Sequence, residues 1–253
     1  MKSLSDLKIK VFADGAEKRT MLELLQNPLI KGFTTNPTLM RKAGITDYTS
    51  FARDVLTEIR HHPISFEVFA DDFDEMERQA HQIASWGDNV FVKIPVTNTR
   101  KEPALDLICR LSHRGVQLNV TAILALDQVR DVCSALHKDV PAYVSVFAGR
   151  IADTGRDPVP LMSAALEFLS EHECAELIWA SPRELLNIFQ ADAIGCHVIT
   201  VTGDILKKLS LYGKDLREYS LETVSMFYDD ARASGFSLKK QVSEERPKEP
   251  VTV

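Results

Sequence analysis

Val90-Phe91-Val92-Lys93-Ile94-Pro95-Val96 is an apolar run interrupted by a single lysine. β-Branched and aromatic residues on both sides of Lys93 predict a strand buried on both faces, as in a parallel sheet covered by helices. An amine held there is desolvated, and a desolvated lysine amine is a Schiff-base nucleophile. The alternative is structural: a lysine that snorkels to the strand end or pairs with a carboxylate. Its neighbours decide between the two.

Outward from this run, seven more β-rich stretches punctuate the chain: KIKVFAD (8–14), GFTTN (32–36), ISFEVFA (64–70), VQLNVTA (116–122), AYVSVFA (142–148), AELIWAS (175–181) and HVITV (197–201). Helical patterns separate them. Ala104, Leu107, Ile108 and Leu111 recur at i, i+3, i+4 and i+7 after Pro103 and close at Gly115, and Leu161, Ala164, Ala165, Phe168 and Leu169 follow Asp157-Pro158. Eight strand–helix units in 253 residues predict an α/β protein, a single closed (β/α)8 TIM barrel, an architecture that takes about 250 residues. A doubly wound open sheet competes, but no Gly-rich dinucleotide loop follows the first strand. The barrel is expected to occupy residues 1–236, with an extra helix near 215–234; the charged, Pro-containing residues 237–253 are expected to be a disordered tail.

Composition narrows the partners. A net charge of −6, with no dense basic stretch outside the extreme C-terminus, argues against nucleic acid. No run of 18 apolar residues is present, and the opening MKSLSDLKIK lacks the apolar core of a signal peptide, so a soluble, cytoplasmic protein without a membrane partner is expected. Cys109, Cys133, Cys174 and Cys196 are widely spaced, which suits reduced thiols. Of seven histidines only His197 begins a strand, so no metal site is expected.

Side chains along a barrel strand alternate between the interior and the helices. The polar residues share a parity. Phe12 and Asp14 fall on one face of their strand, as do Ser65, Glu67 and Phe69, Phe91 and Lys93, Asn119 and Thr121, and Ser145 and Phe147; Asn36 closes the second strand. Two carboxylates, an amine, amides and hydroxyls therefore gather at the C-terminal strand ends, where barrel enzymes carry out their chemistry. Any one of Asn36, Asn119 or Ser145 alone would read as an ordinary loop or cap residue. Together, with Lys93 among them, they read as a site.

These residues resemble the transaldolase family of Schiff-base aldol-transfer enzymes. GFTTNPTLM is similar to the family's Thr-Thr-Asn-Pro motif, and VFVKIPVT to its active-site lysine motif. VFADGA, FEVFAD, LNVTA, SVFAGRI and ASPR follow in the family's order, so that the resemblance spans roughly residues 8–210. It implies that Lys93 forms an imine with a ketose phosphate and that Asp14 is the acid/base beside the bond being broken. Glu67 and Thr121 would hold the water that shuttles protons. Asn36 and Asn119 would hold substrate hydroxyls or the imine, and Ser145 the dihydroxyacetone end. No cofactor is implied.

For the phosphate, Ser181-Pro182-Arg183-Glu184 reads by itself as a capping box opening a helix, with Ser181 capping and Glu184 three residues on. The resemblance makes Ser181 and Arg183 phosphate ligands, with Arg150 as a second arginine; Pro182 stands where the family has an aromatic residue, and Gly15 where it has Thr or Ser. The aldolase branch of the family has Gln and Tyr where this chain has Glu67 and Phe147, which implies transfer of a dihydroxyacetone unit rather than its release. A catalytically silent sugar-phosphate-binding barrel is the alternative of another class, and would be expected to have lost the lysine or its acid partners. Sugar phosphates are the expected partners, and the protein is expected to be a homo-oligomer.

Overall fold

The structure is a computed structural model and describes residues 4–238. Eight strands, β1 (Lys10–Asp14), β2 (Ile30–Thr34), β3 (Ile64–Glu67), β4 (Val90–Pro95), β5 (Leu118–Ile123), β6 (Ala142–Val146), β7 (Ala175–Trp179) and β8 (Val198–Thr202), pair in parallel and in chain order, and β8 closes onto β1. The helices are α1 (Lys18–Leu25), α2 (Pro37–Lys42), α3 (Tyr48–Glu58), α4 (Phe73–Ala84), α5 (Leu105–His113), α6 (Leu126–Ala135), α7 (Ala148–Ala152), α8 (Val159–Leu169), α9 (Leu186–Ala193), α10 (Gly203–Lys207) and α11 (Leu216–Ala233). All eight strands expected from the sequence form. The pattern at 104–111 becomes α5 and that at 161–169 becomes α8.

The chain divides into two compact units, Met1–Ser210 and Leu211–Val253. The first holds the barrel. The second contains α11, the extra helix expected near 215–234; Asp215 caps it by accepting from the Arg217 and Glu218 amides, and Lys214 pairs with Glu222. The tail expected at 237–253 lies, from residue 239 on, outside the described residues. Among the described residues no helix is long and apolar enough to cross a membrane.

Strand parity sorts the core into two layers. Val11, Phe33, Phe66, Val92, Leu118, Val144, Leu177 and Ile199 point outward and are buried under the helices. The opposite face carries Phe12, Phe91, Tyr143, Ile178, Ala180 and Val198, packed with Phe147 inside the barrel. Phe12 meets Tyr143 edge-on with ring centroids 5.5 Å apart, and Phe91 lies 4.4 Å from Tyr143. Gly32 makes room for this plug, because a β-carbon there would come within 2.6 Å of the Phe12 ring. Each such ring removed from water contributes about 2–3 kcal/mol. The aromatic layer seals the barrel axis, and the next inward positions along β1, β4, β6 and β8 are Asp14, Lys93, Ser145 and Thr200.

Candidate active site

Above that apolar plug opens a cavity of about 540 Å³ at the C-terminal strand ends. Its walls include Asp14, Asn36, Glu67, Lys93, Asn119, Thr121, Ser145, Phe147, Arg150, Ser181 and Arg183, so all eleven residues singled out in the sequence border one space. Lys42, Thr34 and Thr200 also line it and were not singled out.

Lys93 stands at the centre. In register it pairs with Glu67 on β3 and with Asn119 on β5, so parity aims all three side chains inward. The residue is 7 % exposed, and its amine donates to the Thr35 carbonyl at 3.0 Å and lies 3.3 Å from Glu67 Oε2. Thr35 is itself fixed, its hydroxyl donating to the Ser65 carbonyl at 2.8 Å. The lysine is thus both paired with a carboxylate and open to the cavity, combining the two readings that its sequence context allows.

Glu67 is held from behind by Tyr48, at the start of α3. The phenol donates to the Glu67 carbonyl at 2.9 Å and accepts from the Glu67 amide at 2.8 Å, while its ring packs edge-on against Phe66 and Phe69. Burial pushes the Tyr48 hydroxyl well above its ordinary range. Nothing in the local sequence marks Tyr48, because its partner is main chain nineteen residues away on another element.

Asp14 ends β1. Its Oδ1 accepts from the Thr34 hydroxyl at 2.8 Å. Burial raises its carboxyl above the ordinary range, a tendency that Lys93 and the Thr34 hydrogen bond oppose and Glu67 reinforces. Gly15, next along, has open space where a side chain would stand, and a second cavity of about 160 Å³ lies there against Asp14 and Gly203.

The amides and hydroxyls are partly committed. Asn36 caps α2, its side chain accepting from the Leu39 amide at 3.0 Å, which leaves its NH2 group for the cavity. Asn119 is fully buried, donates to Ser65 at 2.9 Å and accepts from Ser145 at 2.7 Å. Thr121 differs. Its hydroxyl is buried on the cavity wall without a hydrogen-bond partner among the described residues, the kind of orphan that a bound group satisfies. Next to it Ala122 takes φ 63°, where the β5–β6 register slips, a conformation that costs a non-glycine residue about 1–2 kcal/mol.

The segment from Ser181 to Glu184 corrects one sequence expectation. Ser181 and Glu184 do not form a capping box: Ser181 has φ 61°, and α9 begins only at Leu186. Instead Asn187 reaches back and accepts from the Arg183 and Glu184 amides at 2.8 and 3.1 Å. Arg183 donates through Nε and Nη2 to both oxygens of Asp153, and its Nη1 lies 3.3 Å from Ser181 Oγ. Those hydrogen bonds hold the Asp153 carboxyl below its ordinary range. Arg150 has its guanidinium 5.5 Å above the Phe147 ring and no carboxylate bonded to it among the described residues. Gly149 permits the approach of α7 to this loop, since a β-carbon there would lie 1.6 Å from the Ser181 carbonyl oxygen.

A model of the transaldolase/fructose-6-phosphate aldolase family matches residues 11–246. A probable transaldolase of Dehalococcoides mccartyi is 34 % identical over 202 residues, covering 79 % of this chain and 90 % of that protein. A probable transaldolase of Thermoanaerobacter is 30 % identical over 231 residues, 91 % of this chain and the whole of its own length. The crystal structure of 2,3-dimethylmalate lyase, a PEP mutase/isocitrate lyase superfamily member, superposes with a TM-score of 0.52 over 95 % of this chain and 89 % of its own. At 10 % identity that likeness is one of fold alone.

Proposed function

This chain belongs to the transaldolase/fructose-6-phosphate aldolase family, and we propose that it transfers a dihydroxyacetone unit from a ketose phosphate to an aldose phosphate through an imine on Lys93. The observation that carries the proposal is the setting of Lys93: a buried amine 3.3 Å from the Glu67 carboxylate, on the floor of a cavity that Asp14 also borders.

The chemistry follows from these positions. The Lys93 amine adds to the ketose carbonyl, and the carbinolamine loses water to give an iminium ion. Glu67 and Thr121 hold that water and move its protons, a role supported by the Thr121 hydroxyl having no protein partner. Asp14 takes the proton from the hydroxyl on the carbon beyond the bond to be broken. The carbon–carbon bond then cleaves, its electron pair flows into the iminium, and an aldose phosphate leaves an enamine behind. The acceptor aldehyde enters, the enamine carbon attacks it, and Asp14 returns its proton to the new hydroxyl. Hydrolysis restores the amine. A carboxyl raised by burial suits this acid/base duty near neutral pH.

Asn36, Asn119 and Ser145 are the candidates to hold the substrate hydroxyls, and Arg150 with Ser181 the phosphate. Arg183, bound through two of its nitrogens to Asp153, contributes its remaining Nη1 edge. Phe147 offers the cavity hydrocarbon and no hydroxyl to orient water at the imine, which favours an enamine that waits for an acceptor. The proposal includes a homo-oligomer in the cytoplasm. Four free thiols suit a reducing compartment, and burial pushes Cys133 up to about 11 and Cys196 up to about 12.

Borohydride reduction in the presence of fructose 6-phosphate, with peptide mapping, should attach a three-carbon or six-carbon adduct to Lys93. An unlabelled Lys93 would refute the mechanism. Fructose 6-phosphate should turn over slowly alone and rapidly with erythrose 4-phosphate; fast release of free dihydroxyacetone would make the enzyme an aldolase instead.

A further inference from the structure

Closing the barrel puts β8 and β2 on either side of β1, and a pair of threonines meets in front of it. Thr200, paired in register with Phe12, lies one inward position below Asp14, and Thr34 pairs with Asp14 itself. The two hydroxyl oxygens are 2.5 Å apart, and Thr34 Oγ1 is 2.8 Å from Asp14 Oδ1. Both threonines are buried, at 3 % and 8 % exposure. A threonine hydroxyl has one hydrogen. When Asp14 is a carboxylate, Thr34 must spend its hydrogen on Oδ1, and Thr200 must then donate to Thr34. When Asp14 carries the proton on Oδ1, the carboxyl donates to Thr34, and Thr34 turns its own hydrogen to Thr200. The same three side chains satisfy both protonation states by reversing the chain.

We propose that Thr200 is a positioning residue: through Thr34 it forms a reversible hydroxyl relay that keeps the Asp14 carboxyl in one orientation in both its basic and its acidic state. The inference rests on the acid/base reading of Asp14 given above and deepens it. An acid/base group in this reaction removes a proton during cleavage and returns it during bond formation, so it has to stay aimed at the same substrate oxygen through both halves. A single fixed donor would favour the carboxylate alone; a two-hydroxyl chain serves each form, and its linked bonds strengthen one another. Facing Asp14 are Lys93 from β4 and Glu67 from β3 as charged groups, and Thr34 from β2 and Thr200 from β8 through the relay. Lys93 and Glu67 set the electrostatic balance. Only the threonines act on direction.

The test compares Thr200→Val, which keeps the shape and removes the hydroxyl, with Thr200→Ser, which keeps the hydroxyl and removes a methyl group. In Thr200→Val, Thr34 keeps its bond to the carboxylate but loses the partner that polarises it. Transfer kcat should fall about tenfold, a part of the 10²–10⁴ that a positioned acid/base supplies. Because Thr34 still donates to the carboxylate while the protonated carboxyl loses the hydroxyl that took the Thr34 hydrogen, the acidic limb of the kcat/KM profile should move to lower pH. The KM for fructose 6-phosphate should stay within about twofold of wild type, and borohydride should still label Lys93 fully. Thr200→Ser should restore the rate and the profile. A Thr200→Val enzyme with wild-type kcat and pH profile overturns the relay, and so does a Thr200→Ser enzyme as impaired as the valine variant, which would make the contact one of packing. Wild-type enzyme left unlabelled at Lys93 refutes the imine reading itself, and the relay falls with it.

Discussion

Glu67 Oε2 lies 3.3 Å from Lys93 Nζ, on neighbouring strands in register, with the two side chains only 20 % and 9 % exposed. Each charge in such a pair is tolerated because the other is there. Removing one leaves the other desolvated, whereas removing both leaves an uncharged site of similar volume. Lys93→Met should therefore abolish transfer and lower stability by about 2 kcal/mol, and Lys93→Met with Glu67→Gln should recover most of that loss while staying inactive. Urea unfolding of the wild type, both single variants and the double variant measures the coupling; strictly additive losses would show that the two groups do not interact.

Asp14 makes a prediction with a sign. Burial raises its carboxyl by more than Lys93 and Thr34 lower it. The folded chain thus holds the Asp14 proton more tightly than the unfolded chain does, and folding is favoured where Asp14 is protonated. As pH rises from the unfolded value through the higher folded one, that advantage disappears, and above the window the buried carboxylate is a net cost. Asp14→Asn removes the cost. Its Tm should exceed that of wild type at pH 7 and converge with it as pH is lowered towards about 4, while transfer falls by about 10²–10⁴. Calorimetry over this range decides it; an equal or lower Tm at pH 7 would show that the carboxylate is not strained in the folded protein.

What the sequence discloses about this site depends on the range of the interaction. Lys93, Asp14 and Glu67 are legible because each is a charged residue at the end of an apolar strand, and the two-residue period assigns them to the face that Phe12, Phe91 and Ser65 share. Thr34 and Thr200 are not, because their contact exists only once β8 has closed onto β1 on the far side of the barrel. Tyr48 reads as an ordinary helix-opening aromatic. Ser181 misleads for a related reason: the spacing to Glu184 fits a capping box, yet the carboxamide of Asn187 takes the amides first, and the close approach of α7 through Gly149 accompanies a left-handed Ser181. Local rules cannot anticipate a competing acceptor further along the chain.

Tyr48 bonds both main-chain groups of Glu67, donating at 2.9 Å and accepting at 2.8 Å. Phenylalanine keeps the ring and its packing against Phe66 but orphans a part-buried amide and carbonyl, each a loss near the lower end of about 1–3 kcal/mol. Tyr48→Phe should be destabilised by about 2 kcal/mol. Because the clip sets the direction of the Glu67 side chain, kcat should fall several-fold with little change in KM. Burial keeps the hydroxyl protonated well into alkaline solution, so the wild-type clip should not titrate within an assay range below about pH 9. A wild-type kcat in a folded Tyr48→Phe enzyme would show that β3 aims Glu67 unaided.

A substitution at Gly149 should separate phosphate recognition from chemistry. Its absent side chain lets α7, which carries Arg150, pack on the carbonyl of Ser181, where a β-carbon would sit only 1.6 Å away from rigid main chain. Gly149→Ala must push α7 and the Ser181 loop apart, and with them Arg150 from Ser181, while Lys93 and Glu67, fixed on β4 and β3, stay in place. An arginine displaced from a dianion loses charge-assisted hydrogen bonds that act as a geometric unit. The KM for fructose 6-phosphate should rise about 10–100-fold, equivalent to about 1.4–2.7 kcal/mol. Unphosphorylated fructose should be cleaved at the slow wild-type rate, because it never used that contact. Steady-state assays with the two ketoses check this, and a Gly149→Ala enzyme that loses activity towards both in the same proportion would place the defect at the imine and not at the phosphate.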